Sequence, residues 1–145
     1  MIPKFGPTGR LPRGEHPASW AEVMQRLGTS PKRKILLEGL LMASKILFQH
    51  GAKYLYLDGS FATNERNPND IDCLYDLVNL DFDALPAVFR DFSDNRAAQK
   101  ATYGCEFFPS ALIEGSLGEP FLTFFQHDKA GRPKGIVVLD LGTLP

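Results

Sequence analysis

Between Tyr54 and Asp72 the chain reads Tyr-Leu-Tyr-Leu-Asp-Gly-Ser, nine further residues, then Asp-Ile-Asp. No other stretch restricts the fold as much. Lys53 to Leu57 is β-prone, and Asp70 to Leu77 alternates as a second strand. Side chains alternate faces along a strand, so Asp70 and Asp72 share one face while Ile71 and Cys73 point to the core. Two carboxylates on one face repel unless a cation sits between them. A hard dication with oxygen ligands is the natural partner, and Mg²⁺ favours one or two carboxylates plus substrate phosphates. Gly59 at the end of the first strand lets the backbone approach a ligand, and Ser60 adds a hydroxyl suited to phosphate.

The rest of the chain supplies the other layers. Residues 3 to 17 carry four prolines and three glycines, a density that excludes a helix or a central strand. They are expected to form an extended arm (residues 1–18) on a single domain (19–145). Ser19-Trp20-Ala21-Glu22 spells a capping box for a helix to about Leu27. Ser30-Pro31 caps the longest helix, from Pro31 to His50, with Ile35, Leu36, Gly39, Leu40, Ala43, Ile46 and Leu47 at helical spacing and Gly51 as its stop. Leu80 to about Ala101 reads as helix in two pieces, Tyr103 to Phe108 as a third strand, and Glu119 to Gln126 as a short helix. A turn from Asp128 to Lys134 leads into a last strand, Gly135 to Leu141. The order predicts an α/β (α+β) domain with a small mixed β-sheet packed against helices.

Composition excludes several classes. The chain has 145 residues with 43% hydrophobic and 23% charged, which is neither a disordered chain nor a coiled coil. A net charge of −1 argues against a general nucleic-acid coat but leaves room for a local basic patch. No apolar run approaches the roughly 20 residues a membrane span needs, and the N-terminus has no apolar signal core. Cys73 and Cys105 sit in apolar runs, as buried free thiols of a reducing cytoplasm do, and no cysteine pair has zinc-ligand spacing.

Strand, Gly-Ser, nine residues and Asp-x-Asp on the next strand resemble the nucleotidyltransferase superfamily that includes DNA polymerase beta and the minimal nucleotidyltransferases of bacterial toxin–antitoxin loci. Beyond that motif, the Pro/Gly-rich arm with Leu11-Pro12, the Leu57-Asp58-Gly59-Ser60-Phe61 turn and the closing Arg132-Pro133-Lys134-Gly135-Ile136-Val137 resemble small bacterial proteins assigned to the same superfamily. The resemblance implies a nucleotidyltransferase fold. It implies Mg²⁺ or Mn²⁺ on Asp70 and Asp72, a nucleoside triphosphate held by Gly59 and Ser60, and a third carboxylate on a later strand. Glu106 matches the strand order for that third position, and Asp140 is the alternative. The chain departs from the pattern twice. Asp58 precedes Gly59 where an apolar residue is usual, and the third carboxylate is a Glu where Asp is usual.

The activity implied is Mg²⁺-dependent transfer of a nucleoside monophosphate to a hydroxyl on a partner protein or a tRNA, in a toxin–antitoxin or phage-defence setting. The alternative is a non-catalytic, antitoxin-like binding module of the same fold. Lys134 stands equally as a phosphate contact or a solvated turn residue. Arg66 and His127 read as solvated, and Tyr54 and Tyr56 as sheet-face packing. Phe121, Phe124 and Phe125 read as core, and Lys32-Arg33-Lys34 as a solvated helix face.

Overall fold

A computed structural model describes residues 1–110, 120–128 and 130–145. The chain builds a five-stranded mixed sheet, with strands β1 (Gly14–Ala18), β2 (Tyr54–Asp58), β3 (Ile71–Tyr75), β4 (Cys105–Pro109) and β5 (Gly135–Asp140) in the order β1-β5-β2-β3-β4. Antiparallel pairing joins β2 to β3 and β5, while β1 lies parallel to β5 and β4 parallel to β3. The helices are α1 (Trp20–Leu27), α2 (Pro31–Gln49), α3 (Ser93–Tyr103) and the single turn α4 (Phe121–Phe124). No helix among the described residues is long and apolar enough to cross a membrane.

Strand alternation sorts the sheet into two faces. Leu55, Leu57, Cys73, Tyr75, Cys105, Phe107, Val137 and Leu139 join Val23, Leu37, Leu40 and Leu47 of the helices in one buried core. The opposite face carries Tyr56, Leu74 and Phe108 in one cross-strand row and Asp58, Asp72 and Glu106 in the next. Phe121 and Phe125 lie half-buried against Phe108, with ring centroids 5.1 and 4.9 Å away. They cover this second face and do not belong to the main core as expected, because α4 sits on the side of the sheet away from α1–α3. The side chain of Phe124 and the whole of Glu119 lie outside the described residues.

The expected elements are found with two changes. The N-terminal arm ends in β1, an edge strand, where Pro17 is tolerated because one side of an edge strand needs no ladder donor. Ile2 and Leu11 are buried and pin the rest of the arm to the core. The 80–101 region is not two helices. It forms two short 3₁₀ turns, Phe82–Ala84 and Ala87–Arg90, followed by α3, whose first turn has left-handed φ at Asp94, Asn95 and Arg96. Pro86 and the polar Ser93–Asn95 run break the helical hydrogen-bond ladder there.

Arg33 is the largest correction. It is not solvated but 1% exposed. Its guanidinium donates to the carbonyls of Leu27, Phe61, Thr63 and Glu65 at 2.5 to 3.2 Å, with Ser60 O at 3.4 Å, and it stacks on the Phe61 ring. Ser30, the N-cap of α2, adds a bond from its hydroxyl to Arg66 O at 2.7 Å. The start of α2 is thereby fastened to the loop that follows β2. Close packing continues at Gly39, where a Cβ would lie 2.0 Å from Tyr103 O, so only glycine lets α2 and the end of α3 approach this closely.

Replacing Arg33 with Met leaves several buried carbonyls without a donor. Urea unfolding of Arg33→Met is expected to show a loss of about 3 kcal/mol or more, against less than about 0.5 kcal/mol for the exposed neighbour Lys34→Met. Equal losses for the two variants would show that the clamp is not what fixes this loop.

Candidate metal and phosphate site

Three strands bring the acids together by register alone. Asp58 on β2 pairs with Asp72 on β3, and Asp72 pairs with Glu106 on β4. Directly opposed residues project to one face, so the three carboxylates stand side by side. Asp70, two residues before Asp72, falls on the same face. One carboxylate oxygen from each of Asp70, Asp72 and Glu106 lies within 4.8 Å of the others. Asp140 pairs with Tyr54 at the far end of β2 and its Oδ1 accepts from Gly142 N, so it is not the third carboxylate.

The Gly59–Ala62 turn forms the rim. Gly59 has φ +71, and a Cβ there would fall 2.3 Å from Asp72 Oδ2. Glycine is therefore required twice at this position, by its left-handed backbone and by the carboxylate it faces. Ser60 is exposed, and its carbonyl accepts from Thr63 Oγ1 at 2.6 Å, which closes the turn.

Two lysines reach the row. Lys134 Nζ lies 3.2 Å from Asp58 Oδ1, and Lys100 Nζ lies 3.4 Å from Glu106 Oε1. Asp58 is 1% exposed, and neither of its oxygens has a well-aligned hydrogen bond among the described residues, so charge holds the Lys134 pair. Lys134 is thus neither a free turn residue nor aimed clear of the acids. Asp58 is the site residue that sequence reasoning did not assign. Its signal was present as the acid standing where an apolar residue was expected.

Burial and crowding disfavour ionisation. Burial, followed by the charges of Glu106, Asp70 and Asp58, pushes the Asp72 carboxyl up to about 7. Burial raises Asp58 to about 6 despite Lys134. Glu106 is also raised, by burial and then by Asp70, against the opposing Lys100. This donor set suits a hard dication. All of it is carboxylate oxygen, with no thiol or imidazole, and the oxygens are close enough for small side-chain rotations to place them at the roughly 2.1 Å of Mg²⁺–oxygen bonds.

The raised values set a pH dependence. In the unfolded chain these carboxyls ionise near pH 4, while in the fold they hold their protons to about pH 6–7. Between those limits the unfolded state binds fewer protons, so stability falls as pH rises from about 4 to about 7. Without metal, wild type is expected to melt higher at pH 5 than at pH 8. At pH 8 in chelator, Asp72→Asn is expected to melt about 3 °C or more above wild type and to gain less from added Mg²⁺ or Mn²⁺. A lower melting point in chelator together with an equal metal response would rule out the metal site.

Comparison with curated proteins and with solved structures gave no match. A family of unknown function, DUF6932, matches residues 3–140, from the N-terminal arm to the end of β5. Arm, sheet, acidic row and both lysines all lie within that span, and the chain belongs to the DUF6932 family.

Proposed function

We propose that the chain has a nucleotidyltransferase-type fold and is a Mg²⁺- or Mn²⁺-dependent nucleotidyltransferase. In this reading it moves a nucleoside monophosphate from a nucleoside triphosphate to a hydroxyl on a protein or RNA acceptor. The observation that carries this reading is the convergence of Asp70, Asp72 and Glu106 on one face, with Gly59 and Ser60 at its rim. That is the arrangement which the resemblance of the strand–Gly-Ser–Asp-x-Asp stretch implies.

Asp70, Asp72 and Glu106 would hold the metal. When bound, a dication would supply positive charge that offsets the charge developing on the departing pyrophosphate. Ser60 presents an exposed hydroxyl to a phosphate oxygen, on a turn that Arg33 keeps rigid. Lys134 holds its ammonium beside Asp58, on the flank of the site next to Ser60, and limits repulsion between protein carboxylates and the triphosphate. Glu106, with a raised pKa at the β4 edge, is placed to take the proton of the acceptor hydroxyl as its oxygen bonds to the α-phosphorus and the bond to pyrophosphate breaks.

One observation favours a second reading, a non-catalytic antitoxin-like module. Lys100 and Lys134 already give two of the four carboxylates a protein cation. Incubation with α-labelled nucleoside triphosphates, Mg²⁺ and a cell lysate separates the two. Label is expected on protein or RNA, falling below a tenth of the wild-type rate in Asp70→Asn and Asp72→Asn, a loss above about 1.4 kcal/mol. Ser60→Ala is expected to weaken nucleotide binding while turnover persists. No label with any nucleotide or metal would favour the module.

A further inference from the structure

Next to the acidic site lies a groove that the proposed reaction has not used. It has a volume of about 400 Å³ and runs between the N-terminal arm and the turn before β5. Arg10, Arg13 and Arg132 line it, with Leu11, Pro12 and Pro133 as apolar walls, and none of its described lining residues is a carboxylate. The volume falls within the range of small-ligand pockets.

The groove is built rather than incidental. Asp128, whose side chain is 5% exposed, pairs with Arg10 Nη1 at 2.5 Å and Arg132 Nε at 3.1 Å. It also accepts the backbone N–H groups of Ala130 and Arg132 at 2.9 Å each. One sequestered acid therefore orients two guanidiniums from opposite walls and leaves their remaining N–H donors free to point elsewhere. Arg13 is exposed and has no ion-pair partner among the described residues. Three guanidiniums against one carboxylate leave a local positive excess in a chain of net charge −1.

The groove also adjoins the site. Arg10 bridges backbone-to-backbone with Thr63, and Asn64 N donates to Gly9 O at 2.9 Å, so the arm borders the loop that carries Ser60. On the other wall, Lys134 follows Pro133 directly and reaches Asp58. Both walls of the groove thus continue into segments that border the carboxylate row.

We infer that this groove binds the sugar–phosphate backbone of a single-stranded RNA, which makes the acceptor of the proposed transfer a polynucleotide. This rests on the nucleotidyltransferase reading for its role but not for its binding chemistry. Planar guanidinium forks match phosphate oxygens in pairs, and the proline and leucine walls suit a ribose or base face. An acidic peptide would use the cations but leave the apolar walls without a partner.

The test is fluorescence anisotropy with a labelled single-stranded RNA of about 12 nucleotides, in chelator and without nucleoside triphosphate, so that catalysis plays no part. Wild type is expected to bind with an affinity that falls as salt rises. Arg13→Gln with Arg132→Gln is expected to bind about tenfold or more weakly, with the log–log salt slope reduced by about 2. Lys45→Gln, an exposed cation on α2, is expected to bind as wild type does. Unchanged RNA affinity in the double arginine variant overturns the proposal, and so does tighter arginine-dependent binding of a poly-glutamate peptide. Label transfer that persists while RNA binding ignores the arginines would sink the groove and leave the proposed function standing. Arginine-dependent RNA binding without any transfer would do the reverse.

Discussion

A buried guanidinium bonded to backbone carbonyls holds this molecule's working parts in place. Arg33 is buried, yet its hydrogen-bond partners are all backbone carbonyls, drawn from the end of α1 and from the loop after β2. Burial pulls its pKa down from the ordinary value, but a guanidinium keeps its charge, so the carbonyls must satisfy it. They are suited to do so because a loop, unlike a helix or strand, leaves its carbonyls unspent. The result is a loop with the order of regular structure. It turns at Gly59, exposes Ser60, and returns the chain to β3 with Asp70 and Asp72 facing the same way.

The sheet's two faces then divide the labour. The helix-facing rows of β2–β5 supply most of the sheet's share of the core. The other face places Asp58, Asp72 and Glu106 in directly opposed positions, where like charges destabilise a sheet. A sequence selected only for stability would not put acids in three neighbouring register positions, and local conflicts of this kind concentrate where function is. Lys134 and Lys100 relieve the two ends of the row, at Asp58 and Glu106. Asp72, in the middle, has no lysine in ion-pair contact among the described residues, and burial with the flanking carboxylates pushes it up to about 7. The centre of the row is therefore where a cation from outside the chain gains most.

Much of this was legible in the sequence because it depends on local pattern. The capping residues Ser19 and Ser30 set two helix starts, and period-two alternation put Asp70 and Asp72 on one face. Glu106 could be named as the third carboxylate from strand order, and Asp140 was separated from it only by the register of β5 against β2. What was not legible depends on distant packing. Arg33 sits in a Lys-Arg-Lys run at a helix start, and nothing in that run marks the middle residue as the buried one. Phe121 and Phe125 have the spacing of core residues, but spacing does not say which face of the sheet they cover. Asp58 looked like a departure from a pattern, and its meaning appeared only when Lys134 came beside it from far along the chain.

Placing Glu106 carries one more structural demand. It lies on β4, which among the described residues has a sheet neighbour on one side only, and an open edge invites pairing with another chain. Here α3 closes that edge with side chains. Gln99 Oε1 accepts from Phe107 N and Arg96 Nε donates to Phe107 O, both at 2.8 Å, so the outward backbone groups of the residue after Glu106 are already satisfied. Arg96 reaches this position from a left-handed backbone, φ 61, at the end of the Asp94–Asn95 segment. Asp and Asn tolerate that conformation, whereas for Arg it costs on the order of 1 kcal/mol or more. The cost is offset where the guanidinium lies 3.8 Å from the centroid of the Phe108 ring and 5.0 Å from that of Phe92. Lys100, one turn further along the same helix, meets Glu106 itself. A single helix thus satisfies the outward backbone groups of Phe107 and sets the charge next to the third carboxylate, so the strain at its start belongs to the site as much as to the fold.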